Sequence, residues 1–400
     1  MSRRPGPAAV LLVVGTALGQ PCGAQPAPGA AWVPPVGVPR PEFGLEETVE
    51  ASCSGCTLRR QSDLSALDNL AAGTIVQLEG GPLDARGGLE VNAAGTKERP
   101  VFIRGADPRR PTRIRGPLRF RGSYLVVENL DFDLAGTPGG LRIQGHHIVL
   151  RQSAVHGFRP GRNSTALYVR QSEDVVVRHT SVYDNGDFTQ PGEQDVHGIG
   201  AGETRRLWVL DSHLYRNRGD AIQIGHRAAN TVGPVYIARN DMHENGENSI
   251  DIKEASDVVI SENRLHHEPP GNPVVVLHYC PVNAAVIANE IEDAEVGVSV
   301  ASLLRTCEPR APIDVFVLGN AFRRVSKRAI EGWGSGKRYQ VTGNCFENVG
   351  LRIKVQNAQP GSLLAEGEDG LARSLEAFGR ARGVKVLPAL TASGPCRSAR

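Results

Sequence analysis

Residues suited to acid–base chemistry are concentrated between positions 195 and 279 of this 400-residue chain. Lys253 and His278 are the pair that we favour as catalytic. Removing a proton beside a carboxylate, with loss of a neighbouring oxygen, needs a base, a cation to neutralise the carboxylate and a proton donor for the leaving oxygen. A lysine is a useful base only if burial or a neighbouring cation lowers its pKa, and we expect His278 or Arg170 to be that cation. His278 or Tyr279 is the expected proton donor.

A second set of residues, Asp195, His197 and Asp220, places carboxylates near a histidine and can also exchange a proton with a carbon atom. A third interpretation is glycoside hydrolysis, for which Asp195, Asp220 and Asp251 would supply an acid and a base or nucleophile. A surface adhesin or a carbohydrate-binding scaffold without catalysis would have a similar groove. We rank elimination first, and the other interpretations stay open.

Short apolar segments position these residues. Eight of them align with one another: Leu141-Arg-Ile-Gln144, Leu167-Tyr-Val-Arg170, Ile199-Gly-Ala-Gly202, Ile222-Gln-Ile-Gly225, Ile250-Asp-Ile-Lys253, Val275-Val-Leu-His278, Val298-Ser-Val-Ala301 and Ile330-Glu-Gly-Trp333. In a strand the first and third residues would be buried and the others would face outwards. The outward residues crowd around Gly200, Gly202 and Gly225, which predicts a glycine-lined groove for a sugar chain. The expected substrate-binding residues are Arg142, Tyr168, Arg170, Gln223, His226, Asp251, Glu254 and Tyr279.

The same part of the chain contains a repeat. A polar residue stands two positions before the closing apolar residue of each strand such as Trp208-Val-Leu-Asp-Ser-His-Leu214, namely Ser153, Thr180, Ser212, Asn240, Asn263, Asn289, Asn320 and Asn344. The intervals are 27, 32, 28, 23, 26, 31 and 24 residues. A period in the twenties with short strands is typical of a stacked solenoid, in which equivalent residues lie roughly 4.8 Å apart and form ladders. The sequence therefore predicts an all-β, parallel β-helix with short helical caps.

These repeats resemble those of the right-handed parallel β-helix proteins, which include pectate-lyase-like and chondroitinase-B-like polysaccharide enzymes. The resemblance covers roughly residues 60 to 350. The stretch Ile250-Asp-Ile-Lys-Glu-Ala-Ser256 is similar to the one around the lysine base of the chondroitinase-B-like lyases, which implies that Lys253 is the base. The paired Glu-x-Glu metal ligands of that family are missing. The resemblance therefore leaves calcium open as a cofactor, with Glu247 and Asp251 as its candidate ligands.

Asp195-Val-His197 and Asp220 look like the Asp-Pro-His and downstream Asp of the mannuronan C5-epimerases, which are also β-helices. This resemblance implies epimerisation, which begins with the same proton abstraction. Val196 replaces the proline of that family, and Gly192 stands where the family has a tyrosine, for which Tyr168 is the candidate substitute. The Asp-Asp doublet of the polygalacturonase-like β-helices is missing, so hydrolysis ranks below elimination.

The two ends of the chain have a different character. Arg3 and Arg4 precede an apolar run and then small residues up to Ala24, which predicts a secretory signal over residues 1–24. We therefore expect a secreted or periplasmic protein without a membrane span. Residues 25–60 are expected to be an extended arm, 61–350 the β-helix and 351–400 a C-terminal cap. Helical spacing at 369–378 and at 62–70 predicts a short helix at each end.

Six cysteines follow the predicted signal, an even number that favours disulfides in an exported protein. Fifteen pairings are compatible with the sequence. Proximity in the chain favours Cys53–Cys56, Cys280–Cys307 and Cys345–Cys396.

Charge limits the partners of the protein. The chain has 45 Lys+Arg and 43 Asp+Glu, a net charge of +2, which excludes a polyanion binder that acts through bulk charge. Alternation predicts that Arg113, Arg115, Arg119 and Arg121 share one face, where they would hold an acidic polysaccharide. We expect no nucleic acid partner, because the protein is predicted to be exported and no aromatic platform accompanies these arginines. We expect an acidic polysaccharide as the partner and a monomeric protein.

Overall fold

A computed structural model describes residues 35–45, 57–62, 64, 67–107, 109–137, 139–192, 194–225, 232–279, 281–301, 313–333, 337–356 and 363–366. These residues form thirty β-strands and no helix. In chain order, β1 to β10 are Thr57–Gln61, Leu70–Ala71, Thr74–Leu78, Leu83–Asp84, Leu89–Ala94, Val101–Gly105, Thr112–Arg115, Leu118–Glu128, Leu130–Asp133 and Leu141–Arg151.

The remaining strands continue the same pattern towards the C-terminus. Strands β11 to β20 are Ala154–His156, Ser164–Arg178, Ser181–Asn185, Val196–Leu210, His213–Asn217, Ile222–Ile224, Val235–Ala238, Asp241–His243, Ile250–Lys253 and Ser256–Ser261. Strands β21 to β30 are Arg264–His266, Pro273–His278, Val282–Ile287, Glu290–Ala301, Ile313–Leu318, Ala321–Trp333, Lys337–Thr342, Cys345–Glu347, Leu351–Gln356 and Leu363–Glu366.

The strands stack in parallel as three sheets that enclose one core, which confirms the predicted parallel β-helix. The β-helix has about ten turns. Sheet 1 carries the first part of β8 and of β10, β12 and β14, followed by β16, β19 and β22. Sheet 2 carries the later part of the same long strands, followed by β17, β20 and β23. Sheet 3 carries β7, β9, β11, β13, β15, β18 and β21.

The predicted polar column is a continuous ladder at the turn between sheets 2 and 3. The side-chain amide of Asn240 donates to Oδ1 of Asn263 at 2.9 Å, and the same 2.9 Å contact joins Asn263 to Asn289, Asn289 to Asn320 and Asn320 to Asn344. Hydroxyl groups continue the column towards the N-terminus, at Ser153, Thr180 and Ser212. Each acceptor also binds a backbone N–H, so the ladder satisfies turn groups that are buried from water.

A second buried ladder was not predicted. Each of its residues lies five positions C-terminal to a residue of the first ladder. Asn185 donates to Asn217 at 2.8 Å, and Asn217 donates to Asn245 at 2.9 Å. The ladder ends at Glu268, which accepts the backbone N–H of Asn245 at 3.0 Å and the hydroxyl of Ser249. Burial raises the pKa of Glu268 to about 8. A carboxylic acid therefore terminates a column of amides inside the protein.

Part of the predicted N-terminal arm packs on the outer face of sheet 2. Val36, Val38 and Phe43 are buried in one apolar cluster with Trp208 and other sheet 2 residues. The indole of Trp208 donates to the carbonyl oxygen of Pro39 at 3.0 Å. The arm thus covers apolar surface that would otherwise face water.

The ends of the β-helix differ from the predicted bounds. Strands already occur at Thr57–Gln61, and they continue to Glu366. Leu70, which we placed in a helical cap, begins a strand, and the described residues between 62 and 70 form no helix. Leu70 pairs in parallel register with Ala93 of sheet 1. The predicted signal, the helix at 369–378 and the cysteines other than Cys345 lie outside the described residues.

Candidate active site

The middle of sheet 1 carries an open cavity of about 530 Å³ on its outer face. Arg142, Tyr168, Gly200, Gln223 and Asp251 occupy equivalent positions on consecutive coils, as the predicted alignment requires. Strand register therefore brings together residues that are up to 109 positions apart in the sequence. The cavity is lined by Arg142, Asn163, Ser164, Thr165, Tyr168, Asp195, His197, Gly200, Ala201, Gln223, Gly225 and Lys253.

His197 and Asp220 form a buried pair at one end of this cavity. Nδ1 of His197 lies 3.1 Å from Oδ2 of Asp220, which has no exposed surface. Asp220 also accepts hydrogen bonds from the side chain of Gln223 at 3.1 Å and the backbone of Asn248 at 3.1 Å. Burial alone would lower the pKa of His197, but the hydrogen bond and charge of Asp220 outweigh it and raise that pKa. Asp220 is therefore fixed in place as the partner of the histidine.

The proton arrangement of His197 follows from its two contacts. The backbone N–H of Asp220 also lies 3.1 Å from Nδ1, a contact that would need a lone pair there. The contact with the carboxylate is charge-assisted and stronger, so it favours a proton on Nδ1. Nε2, which lies 4.0 Å from Oδ1 of Asp195, is then the atom that exchanges a proton with a ligand in the cavity.

Lys253 pairs with Asp251 on its own strand. Nζ of Lys253 lies 2.8 Å from Oδ2 of Asp251. Burial opposes the charge of Lys253, but Asp251 outweighs it and raises the pKa of the lysine. Burial and the charge of Asp220 in turn raise the pKa of Asp251 to about 7. The pKa of Lys253 is thus shifted away from the direction that a base needs, and the ion pair with Asp251 favours the charged lysine.

His278 occupies the position next to Lys253 on the following coil. The two residues are neighbours in register, but burial and the ammonium group of Lys253 lower the pKa of His278 to about 4. The repulsion between the two cations is mutual, but His278 loses its proton at the lower pH and is therefore neutral where Lys253 titrates. His278 is therefore neutral near pH 7. Neither His278 nor Tyr279 lines the cavity.

Tyr168 lies across the glycines of the next coil. A Cβ atom on Gly202 would sit 2.7 Å from the Tyr168 hydroxyl oxygen, and one on Gly200 would sit 3.2 Å from its ring. Gly200 and Gly202 therefore leave room for the side chain of Tyr168, and Gly200 and Gly225 also line the cavity, where a groove for a sugar chain was predicted. The hydroxyl of Tyr168 lies beside Gly202 of β14, whereas His197 of the same strand pairs with Thr165, three residues before Tyr168. Gly202 and Lys253 each follow a residue of the aligned set Ala201, Ile224 and Ile252.

The other predicted binding residues have separate environments. Arg170 is exposed and pairs with Glu203 at 2.9 Å, so it does not reach Lys253. Glu254 adopts a φ of 49° directly after the strand of Lys253. His226 lies outside the described residues. The four arginines predicted to share a face are divided by the turn at Gly116, with Arg113 and Arg115 on sheet 3 and the others on sheet 1.

The three aspartates proposed for hydrolysis differ in exposure. Asp220 and Asp251 are buried and occupied by His197 and Lys253, respectively, whereas the side chain of Asp195 is 44% exposed. Only Asp195 of this trio is open to a ligand. The described residues contain no group of three or more side chains that could hold a metal ion, so Glu247 and Asp251 gain no third ligand there. Among the described residues the structure also has no helix that is long and apolar enough to span a membrane.

Comparisons with known proteins agree with this architecture. The family model described as "Right handed beta helix region" matches residues 120–346, more than half of the chain. No curated protein sequence matches the chain. The A-module of the mannuronan C-5 epimerase AlgE4 from Azotobacter vinelandii is similar in structure, with a TM-score of 0.56 and 13% identity over 78% of this chain and 90% of that chain. A PL6 family polysaccharide lyase from Pseudopedobacter saltans has a TM-score of 0.53 and 13% identity over 79% and 86%, respectively. At this identity the likeness shows the fold.

Proposed function

The chain belongs to the right-handed β-helix family, and we propose that it is a carbohydrate-active enzyme, a lyase that cleaves an acidic polysaccharide by β-elimination. One observation carries the proposal: His197, which is held by the buried carboxylate of Asp220, lines one open cavity together with Lys253 and Tyr168. These are the groups that elimination next to a uronate carboxylate requires. The same fold in a polysaccharide lyase and in a mannuronan epimerase supports a uronate substrate.

The reaction can be written on the side chains of this cavity. Lys253 binds the substrate carboxylate, and Asp251 keeps the lysine charged. Nε2 of His197 removes the proton from the carbon beside the carboxylate. The electron pair of that C–H bond forms a carbon–carbon double bond, and the bond to the glycosidic oxygen breaks. The leaving oxygen takes a proton from the hydroxyl of Tyr168.

Epimerisation is the second candidate because it starts with the same proton abstraction. The observation that favours it is that His197 lies near the start of β14, whereas the hydroxyl of Tyr168, from the preceding coil, lies beside Gly202 further along the same strand. Two such groups can remove a proton from one face of a carbon atom and return another to the opposite face. Elimination breaks the chain and leaves an unsaturated uronate, whereas epimerisation leaves the chain intact.

Ultraviolet absorbance of the unsaturated uronate tests the lyase proposal. The full chain is incubated with alginate, pectate, glucuronan and glycosaminoglycans, with and without calcium. We expect absorbance to rise with at least one polymer, and Lys253→Met to abolish the rise. Lys327→Met is the matched control, because Lys327 is 55% exposed and pairs with Glu295 far from the cavity. A flat trace with every polymer, or equal turnover in Lys253→Met and wild type, would contradict elimination as proposed.

A further inference from the structure

A second cavity lies on sheet 1 beside the candidate active site. It has a volume of about 380 Å³ and is lined by residues of the preceding coils, among them Glu90, Arg119 and Arg142. Arg142 also lines the cavity of about 530 Å³ that contains His197 and Lys253. The two cavities therefore adjoin each other along the axis of the β-helix, and Arg142 lines both of them. Together the two cavities are called the trough.

Arg142 differs from the other cations of this face. Arg119 and Arg121 both pair with Glu90, at 3.2 and 2.9 Å, and Lys253 pairs with Asp251. Within the described residues Arg142 has no carboxylate at ion-pair distance. Its guanidinium lies 5.4 Å from the ring centroid of Tyr168, which holds the half-buried side chain in the trough.

The surroundings of Arg142 are positively charged. Burial and the neighbouring arginines Arg119 and Arg170 lower the pKa of Arg142, and Tyr168 opposes this shift only in part. Removing part of a charged guanidinium from water without a partner carboxylate costs free energy, and a bound anion would offset that cost. The planar group suits a carboxylate, which it can bind through two hydrogen bonds.

The geometry points to Arg142 as a distal subsite that binds the carboxylate of a second uronate residue of the same polysaccharide chain. This inference rests on the proposed function. The strands of Arg142 and Lys253 are four coils apart, or roughly 19 Å at the usual strand spacing. In an extended polysaccharide, one pyranose residue spans about the distance between two consecutive coils of the β-helix. A trimer bound at Lys253 is thus too short to reach Arg142, and a hexamer is long enough.

Binding of uronate oligomers by calorimetry tests this assignment. All proteins carry His197→Gln, which prevents turnover. In this background we expect Arg142→Gln to weaken hexamer binding by roughly 10- to 100-fold, the worth of one charge-assisted hydrogen-bonded pair, and to leave trimer binding unchanged. Arg142→Lys keeps the charge but loses the planar guanidinium group, and we expect it to lose less hexamer affinity than Arg142→Gln.

Arg205→Gln is the matched control. It removes the same charge from a side chain that is 66% exposed and lines neither cavity. Equal hexamer affinity in Arg142→Gln and its parent would overturn the subsite and leave the proposed function standing. A loss of affinity shared by the trimer, or by Arg205→Gln, would also overturn it, because general electrostatics would then explain the effect. If the parent protein binds neither oligomer, both the subsite and the proposed function fail.

Discussion

Glu268 offers the sharpest test of the buried polar network under the active site. It ends the second ladder and lies near Asp220, the partner of His197. Burial raises its pKa from 4.5 to about 8, although Ser249 and Asn245 donate hydrogen bonds to it. At 1.36 kcal/mol per pH unit, this shift corresponds to about 5 kcal/mol for ionising the buried acid.

The sign of the pH dependence follows from proton binding. Between pH 4.5 and 8 the folded protein keeps the proton of Glu268 and the unfolded chain has lost it. Glu268 therefore lowers the free energy of unfolding as the pH rises from 4.5 to 8. Glu268→Gln resembles the protonated acid at every pH. We expect the variant to match the wild type near pH 5 and to gain about 4 kcal/mol relative to it by pH 9.

Urea unfolding followed by tryptophan fluorescence measures this difference. Ionisations elsewhere affect both proteins equally and cancel in the comparison. Glu98→Gln, at an exposed position, serves as the control and should show no pH-dependent difference from the wild type. If the stability difference between Glu268→Gln and the wild type is the same at pH 5 and pH 9, Glu268 is not protonated in the folded protein and the reasoning is refuted.

Three further predictions concern the ladder and the site. Asn263→Ala should cost about 3 kcal/mol in urea unfolding, because the buried backbone N–H of Asn240 loses its acceptor; a loss below about 1 kcal/mol would contradict the role of the ladder. A base must be deprotonated to act, so the acid limb of the kcat/KM profile should lie above the ordinary histidine pKa. In Asp220→Asn the carboxylate that raises the pKa of His197 is lost, and the acid limb should shift to lower pH. An acid limb that is unchanged in Asp220→Asn would exclude His197 as the base. Gly202→Ala should displace the Tyr168 hydroxyl and lower kcat while circular dichroism stays unchanged, and full activity would exclude that hydroxyl from the reaction.

The fold was predictable because solenoid stacking turns sequence periodicity directly into contacts. The aligned apolar segments gave the register of sheet 1, and the Ser and Asn column marked one turn of every coil. The second ladder had the same signal. Asn185, Asn217, Asn245 and Glu268 follow the first ladder at a constant offset of five residues, with the same intervals of 32, 28 and 23.

The chemistry of the site was less predictable, for reasons that lie in side-chain directions. Asp251 and Lys253 are two residues apart on one strand, so they share a face and pair, and this fixes the charge of the lysine. Tyr168 leans across the next coil, which no strand pattern reveals. The turn at Gly116 moved the chain from sheet 3 to sheet 1 and separated the arginines that alternation had placed together.

The central claim is that the protein removes the proton beside a uronate carboxylate. Proton NMR of uronate polymers in deuterated water tests it directly, since it detects an olefinic signal from elimination and loss of the carbon-bound proton signal from epimerisation. We expect one of these two changes with the wild type and neither with His197→Gln. Binding of a polymer without either change would contradict proton abstraction and leave a carbohydrate-binding protein.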